Sequence, residues 1–252
     1  MITLSSDFGS PYPAAMKGAI LSRTDARLVD VAHDFPRQDV RAAAFWLREV
    51  LPYFPPAVHL VVVDPGVGTD RAALALRAGD HALVGPDNGV LVPAARRLGG
   101  IEAFEYGIGD PESSTFHGRD VFAPAAAVVH EAGIGAFEDR ERFRPTERYE
   151  TVAFPEPEVA AEDGRARGEV LVVDGFGNAV TNIPGEVLAA RFGEDAQVNG
   201  TFARIAESYA HVEAGHRVVT VGSHGNVELA VNQGRGDEAF GVDPGSPVRL
   251  RW

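Results

Sequence analysis

Four polar, glycine-rich segments each end an apolar run: Ser6-Asp7-Phe8-Gly9, Asp64-Pro65-Gly66-Val67-Gly68, Phe116-His117-Gly118-Arg119-Asp120 and Asp174-Gly175-Phe176-Gly177-Asn178. Carboxylates, an imidazole and guanidinium groups are the side chains that move protons and stabilise developing charge. Taken singly, an Asp before Gly or Pro is ordinary turn chemistry, and a histidine just before a predicted helix can simply cap or pack there. Asp7 and Asp64, however, both fall at the carboxyl edge of one predicted sheet, which is where open α/β sheets bind ligands. Other chemistries are not supported. The eight histidines show no His-Glu-x-x-His spacing, and without cysteine there is no thiolate metal site, disulfide or cysteine nucleophile. No Gly-Lys-Ser/Thr follows residues 64–68, no Gly-x-Gly-x-x-Gly opens a helix after the first strand, and Ser5 and Ser6 lack a nucleophile-elbow context.

The elements that must position these groups follow from apolar periodicity. Ile2 to Leu4, Leu28 to Val31, Val58 to Val63, Arg71 to Leu76 and Ala82 to Val84 read as strands. Helical spacing covers Ala14–Arg23, Asp39–Leu51, Gly89–Leu98 and Arg119–Glu131. Strands interleaved with helices predict a mostly parallel sheet flanked by helices over residues 1–150. Prolines and charges then interrupt the pattern, so 151–167 reads as a linker. Residues 168–252 carry short strand-like runs at Glu169–Val173, Phe202–Ile205, Arg217–Val221, Val227–Val231 and Val248–Arg251, with one helix at Pro184–Arg191. Closely spaced strands with Gly/Asn turns predict a smaller all-β barrel or sandwich.

Composition narrows the partners. The 252 residues hold 23 Lys+Arg against 36 Asp+Glu, a formal charge of −13 that repels nucleic acid and anionic membranes. No apolar run reaches the roughly 20 residues of a membrane-spanning helix. The first residues read as a strand rather than a basic, apolar leader, so the expected compartment is the cytoplasm. Lys17 is the only lysine and reads as helix surface.

Seven motifs in order carry a resemblance to the S-adenosylmethionine (SAM) hydrolases, the SAM hydroxide adenosyltransferases, which are related to the fluorinase and chlorinase enzymes. They are Ser6 to Gly9, Met16-Lys17-Gly18, Val63 to Gly68 with Arg71, Gly85 to Gly89, Phe116 to Asp120 with Phe122-Ala123-Pro124, Asp174 to Asn178 with Thr181-Asn182, and Ser223 to Glu228. The resemblance spans nearly the whole chain. It implies hydrolysis of SAM to adenosine and L-methionine by an activated water attacking the ribose 5′ carbon, without cofactor or metal. It further implies a water-holding triad of Asp64, Arg71 and His117, either Asp64 or His117 taking the proton, although Asp64 and Arg71 could equally form a structural ion pair. Asp7 matches the ribose-binding aspartate, Phe176 and Asn178 the adenine contacts, and Asp174 and Ser223 the methionine end. Glu228 and Asn232 fall in the adenine-side segment. The family pattern is a homotrimer with sites between subunits. An aspartate at position 64 disfavours the halide-dependent alternative, and a non-catalytic adenosine or SAM binder is the third reading. Two departures touch the methionine side: a short Gly9–Lys17 segment without a second acid, and His224 where halogenating relatives carry arginine.

Overall fold

The longest apolar runs stand at the centre of the first sheet. The structure, a computed structural model, describes Met1 to Trp252, which divide into two compact units, Met1–Ala153 and Phe154–Trp252. In the first, β1 (Ile2–Ser6) and β3 (Val58–Val62) are buried along their whole lengths; β3 is mostly apolar, as a strand covered on both faces is, while β1 buries Thr3, Ser5 and Ser6 beside Ile2 and Leu4. Around them lie β2 (Leu28–Ala32), β4 (Ala73–Ala78), β5 (His81–Pro86), β6 (Glu102–Tyr106) and β7 (Phe143–Pro145), in the order β2-β1-β3-β5-β4-β6-β7. The run β2-β1-β3-β5 is parallel, and β4, β6 and β7 extend it antiparallel.

The helices are α1 (Tyr12–Leu21), α2 (Val40–Val50), α3 (Val92–Leu98) and α4 (Ala123–Ala132). Met16 and Ile20 of α1 and Ala126 and Val129 of α4 share one core with Ile2, Leu4, Leu60 and Val62. Each fully buried aliphatic side chain there contributes roughly 1.5–3 kcal/mol. The second helix is capped by Asp39, whose carboxylate accepts from Ala42 N at 2.8 Å, and it packs on α3. The chain leaves β1 through α1 toward β2 on one side and leaves β3 toward β4 and β5 on the other. Strand order therefore reverses between the carboxyl ends of β1 and β3, which opens a crevice there.

The second unit contains β8 (Glu158–Ala160), β9 (Arg165–Val173), β10 (Ala179–Pro184), β11 (Asp195–Val198), β12 (Thr201–Ile205), β13 (Arg217–Val221), β14 (Asn226–Val231), α5 (Gly236–Phe240) and β15 (Pro247–Arg251). The ring β10-β14-β13-β12-β11-β15-β9 closes through β9–β10 pairing into a seven-stranded barrel, with β8 added outside β9. Closure leaves no open edge in the ring. Val170, Ile183, Val198, Ile205, Val219, Leu229, Val248 and Leu250 fill the interior.

Several elements differ from the sequence expectation. The predicted helix at Pro184–Arg191 is a single 3₁₀ turn, Gly185–Leu188, that plugs Leu188 into the barrel core. Within 151–167, β8 and the start of β9 form a paired hairpin. The strand predicted from Arg71 begins at Ala73, leaving the Arg71 backbone outside the ladder. The short β7 and β11 and the proline-ended β10 carry too little periodicity to be read in advance.

A buried histidine supplies the first test. The His59 ring lies between Thr3 Oγ1 at 2.8 Å and His81 Nδ1 at 2.9 Å. Burial, reinforced by His81, pushes its pKa from 6.5 down to about 3. The unfolded chain thus takes this proton first. Stability is complete above the unfolded value and falls as pH drops toward the folded one, by up to about 1.4 kcal/mol per pH unit. Urea unfolding at about pH 7 and about pH 5 should show a loss that is smaller by about 2 kcal/mol in His59→Gln than in the parent. An equal loss in both would contradict the assignment.

Candidate active site

The crevice between β1 and β3 is where the carboxylates stand. Asp7 follows the end of β1 and Asp64 lies just beyond β3, so parallel pairing of these two strands brings both to one edge. They line one cavity of about 360 Å³ together with His117 and the rings of Phe8, Tyr12, Phe116 and Phe122. Phe8, Tyr12 and Phe116 pack edge to face, with centroids 5.4–6.1 Å apart. That makes an aromatic flank beside acidic groups, a combination that favours a cation carried on an otherwise apolar body.

Asp64 is tightly held on one side only. Arg71 Nη1 donates to its Oδ1 at 2.7 Å and Gly66 N donates to the same oxygen at 3.1 Å, while Oδ2 takes no protein hydrogen bond. The Asp64 side chain is 7% exposed. Residue 66 has to be glycine for this: a Cβ there would stand 2.5 Å from the Arg71 guanidinium carbon. Arg71 is not among the cavity-lining residues and reaches the site through Asp64.

His117 is buried and opens the helical run that becomes α4. Its first turn, Gly118–Phe122, is a π turn, the wide form that recurs at functional positions because it re-aims side chains. The imidazole makes no hydrogen bond within the protein, so its nitrogens are available to a ligand or water. Behind it, Asp120 accepts from Ser113 N at 2.9 Å and from Arg119 at 2.5 Å. The Arg119 hydrogen bond is the largest effect on the Asp120 pKa; it outweighs burial and holds this carboxyl below its usual range.

Asp7 is aimed by a residue that sequence reading did not single out. Gln38 N donates to Asp7 Oδ2 at 2.6 Å, from a left-handed backbone at φ 62°. A non-glycine residue there costs on the order of 1 kcal/mol, which the surrounding fold must supply. No local motif announces Gln38, since its contribution is a backbone N–H.

The other predicted residues sit on the barrel unit. Asp174 closes the β9–β10 turn: its Oδ1 accepts from Phe176 N at 2.9 Å and Asn178 N at 2.8 Å, and Oδ2 from Asn178 Nδ2 at 3.0 Å. This leaves Phe176 at the tip of the turn as a residue 82% exposed. Glu228 on β14 is buried, accepts from the Tyr209 hydroxyl, and has His224 Nε2 at 3.6 Å. Burial, then the Glu228 bond, pushes the Tyr209 pKa well above the usual phenol value. Asn232 donates to Val212 O at 2.7 Å and so ties down the loop that carries Tyr209, while Ser223 is exposed in the β13–β14 turn. Tyr209 lies in no motif and only the fold reveals it. The 1000 Å³ cavity on the barrel is larger but excludes all of the predicted residues.

Comparison with known proteins matches both units. A model of the SAM hydroxide adenosyltransferase N-terminal domain matches residues 2–138, and one of the C-terminal domain matches residues 168–249. Over 99% of this chain and 97% of the relative, the sequence is 40% identical to a (R)-S-adenosyl-L-methionine hydrolase of Salinispora tropica. A protein of the same name from Thermus thermophilus is 41% identical, with 97% of each chain covered. A crystal structure of an uncharacterized conserved protein from Thermotoga maritima superposes with a TM-score of 0.86 at 33% identity, over 99% of this chain and 100% of that one. The crystal structure of a conserved hypothetical protein from Thermus thermophilus gives a TM-score of 0.78 at 39% identity, over 99% and 98%. The chain belongs to the SAM hydroxide adenosyltransferase family.

Proposed function

We propose that this protein hydrolyses SAM to adenosine and L-methionine, with water displacing the sulfonium sulfur at the ribose 5′ carbon. The carrying observation is one cavity that holds Asp7, Asp64 and His117 beside four aromatic rings. Asp7 offers a carboxylate to the ribose hydroxyls, and the acidic, aromatic surroundings suit a nucleoside bearing a cationic sulfur. The names of these relatives add an R descriptor to a compound whose amino acid is already specified as L. That descriptor therefore belongs to the sulfonium centre, and we extend it to this chain's substrate.

The chemistry asks little of the protein beyond position. The C–S electron pair leaves on sulfur, which becomes a neutral thioether, so no general acid is needed. The water must be held in line and must lose a proton. Asp64 Oδ1 is saturated by Arg71 and Gly66, so its free Oδ2 aligns the water while the unbonded His117 ring accepts the proton. A fixed anion at this position repels a halide, which argues against a halide-transferring enzyme.

Adenosine release from SAM, followed by chromatography, tests the reading. Asp64→Asn and His117→Asn should each lower kcat by about 10²–10⁴-fold with little change in KM. Unchanged kcat in both would remove these residues from the reaction. With SAM of mixed sulfur configuration, the R epimer should be consumed and the S epimer left.

The water-side residues lie on the first unit and the proposed adenine and methionine contacts on the second. We extend the reading to a homotrimer whose sites draw on two neighbouring subunits, a reading supported by the family resemblance and by the uncovered Phe176 ring. Phe176→Ala should raise KM about tenfold at unchanged kcat, since base–aromatic stacking is worth about 1–3 kcal/mol. Refolding equal amounts of Asp64→Asn and Asn178→Ala chains together should restore about a quarter of the parent activity if sites are shared between subunits. No recovery would mean that each site is built from one chain.

A further inference from the structure

The chain's single lysine begins a connected line of polar groups that ends next to Asp7. Lys17 Nζ donates to Asp30 Oδ2 at 2.6 Å, and His33 Nε2 lies 3.0 Å from Asp30 Oδ1. On the other side of the ring, His33 Nδ1 lies 2.7 Å from the hydroxyl of Ser6, a fully buried residue. Burial works to raise the Asp30 pKa, yet the bonds from Lys17 and His33 outweigh it and hold the carboxyl ionised. A carboxylate only accepts, so in the neutral ring Nε2 carries the proton and Nδ1 accepts the Ser6 O–H. The residue types match those of a serine hydrolase triad, but a fully buried Ser6 cannot meet a substrate.

The backbone of His33 completes the arrangement. Its carbonyl accepts from Gly9 N at 2.9 Å. One residue thus grips both ends of the Ser6–Gly9 segment, by its ring on Ser6 and by its carbonyl on Gly9, and Asp7 lies between. The loop that follows His33 also supplies the Gln38 N–H that binds the Asp7 carboxylate.

We propose that Lys17, Asp30, His33 and Ser6 form a positioning relay that aims the Asp7 carboxylate and so sets selectivity for the ribose hydroxyls. This rests on the reading of Asp7 as the ribose contact. The ion pair at its outer end is partly exposed and adds little stability of its own. Its work is to hold one His33 tautomer, and through it one setting of the turn.

The test compares kcat/KM for SAM and for its 2′-deoxy analogue. The parent should prefer SAM by about 10–100-fold, the worth of one hydrogen bond to a charged group. In His33→Phe that ratio should fall toward one, through a raised KM for SAM, while the 2′-deoxy analogue is turned over about as before. Asp30→Asn keeps the shape and removes the charge, so it should lower the ratio and shift the His33 ring ¹⁵N resonances away from the Nε2–H tautomer. Lys17→Met should lower the ratio and Lys17→Arg restore it. Equal losses on both substrates, with the ratio intact, would reduce the relay to a structural prop and overturn the proposal. A parent enzyme that hydrolyses SAM without any such preference would instead strike at Asp7 itself and take the relay with it.

Discussion

Arg71 reaches Asp64 across residue 66, which has no side chain. A Cβ there would lie 2.5 Å from the guanidinium carbon. Much of the first unit is arranged to make that reach useful. The strand after the turn starts at Ala73, which frees Arg71 to fold back. With Arg71 and Gly66 N both on Oδ1, that oxygen is anchored and Oδ2 is left to accept from a ligand or water. An isolated exposed ion pair would be worth little, but this carboxylate is nearly buried and doubly bonded. The proposed reaction needs a water held still, and a locked acceptor suits that task.

The sheet sets the rest of the geometry. Because strand order reverses between β1 and β3, the chain diverges at their carboxyl ends and leaves a gap there. Asp7 and Asp64 are simply the residues that follow those strands. His117 arrives from a different part of the chain, at the head of α4, and its π turn is the local distortion that goes with presenting it. The barrel unit works on the opposite principle. Its Asp174 is consumed in shaping a turn, and what the turn displays is an exposed ring, Phe176.

Much of this was legible in the sequence, and the reasons it was legible are specific. Val58 to Val63 is apolar at every position but His59, as in a strand covered on both faces, and Asp64 follows it directly. The ordered motifs pointed to a family, which the comparisons bear out. What stayed hidden depends on contacts between residues distant in the chain. Gln38 acts through its backbone, which no side-chain motif encodes. Tyr209 meets Glu228 only because β14 passes behind its loop. Lys17 reads as helix surface until Asp30 and His33 are placed beside it. The segment Pro184–Arg191 has helical composition, but barrel closure leaves room for one turn.

The central claim is that solvent, held by Asp64 and His117, supplies the new bond to the sugar. Turnover of SAM in ¹⁸O-enriched water reads this directly by mass spectrometry of the adenosine. The account predicts one ¹⁸O atom at the 5′ position of every product molecule formed. Adenosine carrying only ¹⁶O at that carbon would contradict it, because the oxygen would then have come from the protein or from the substrate.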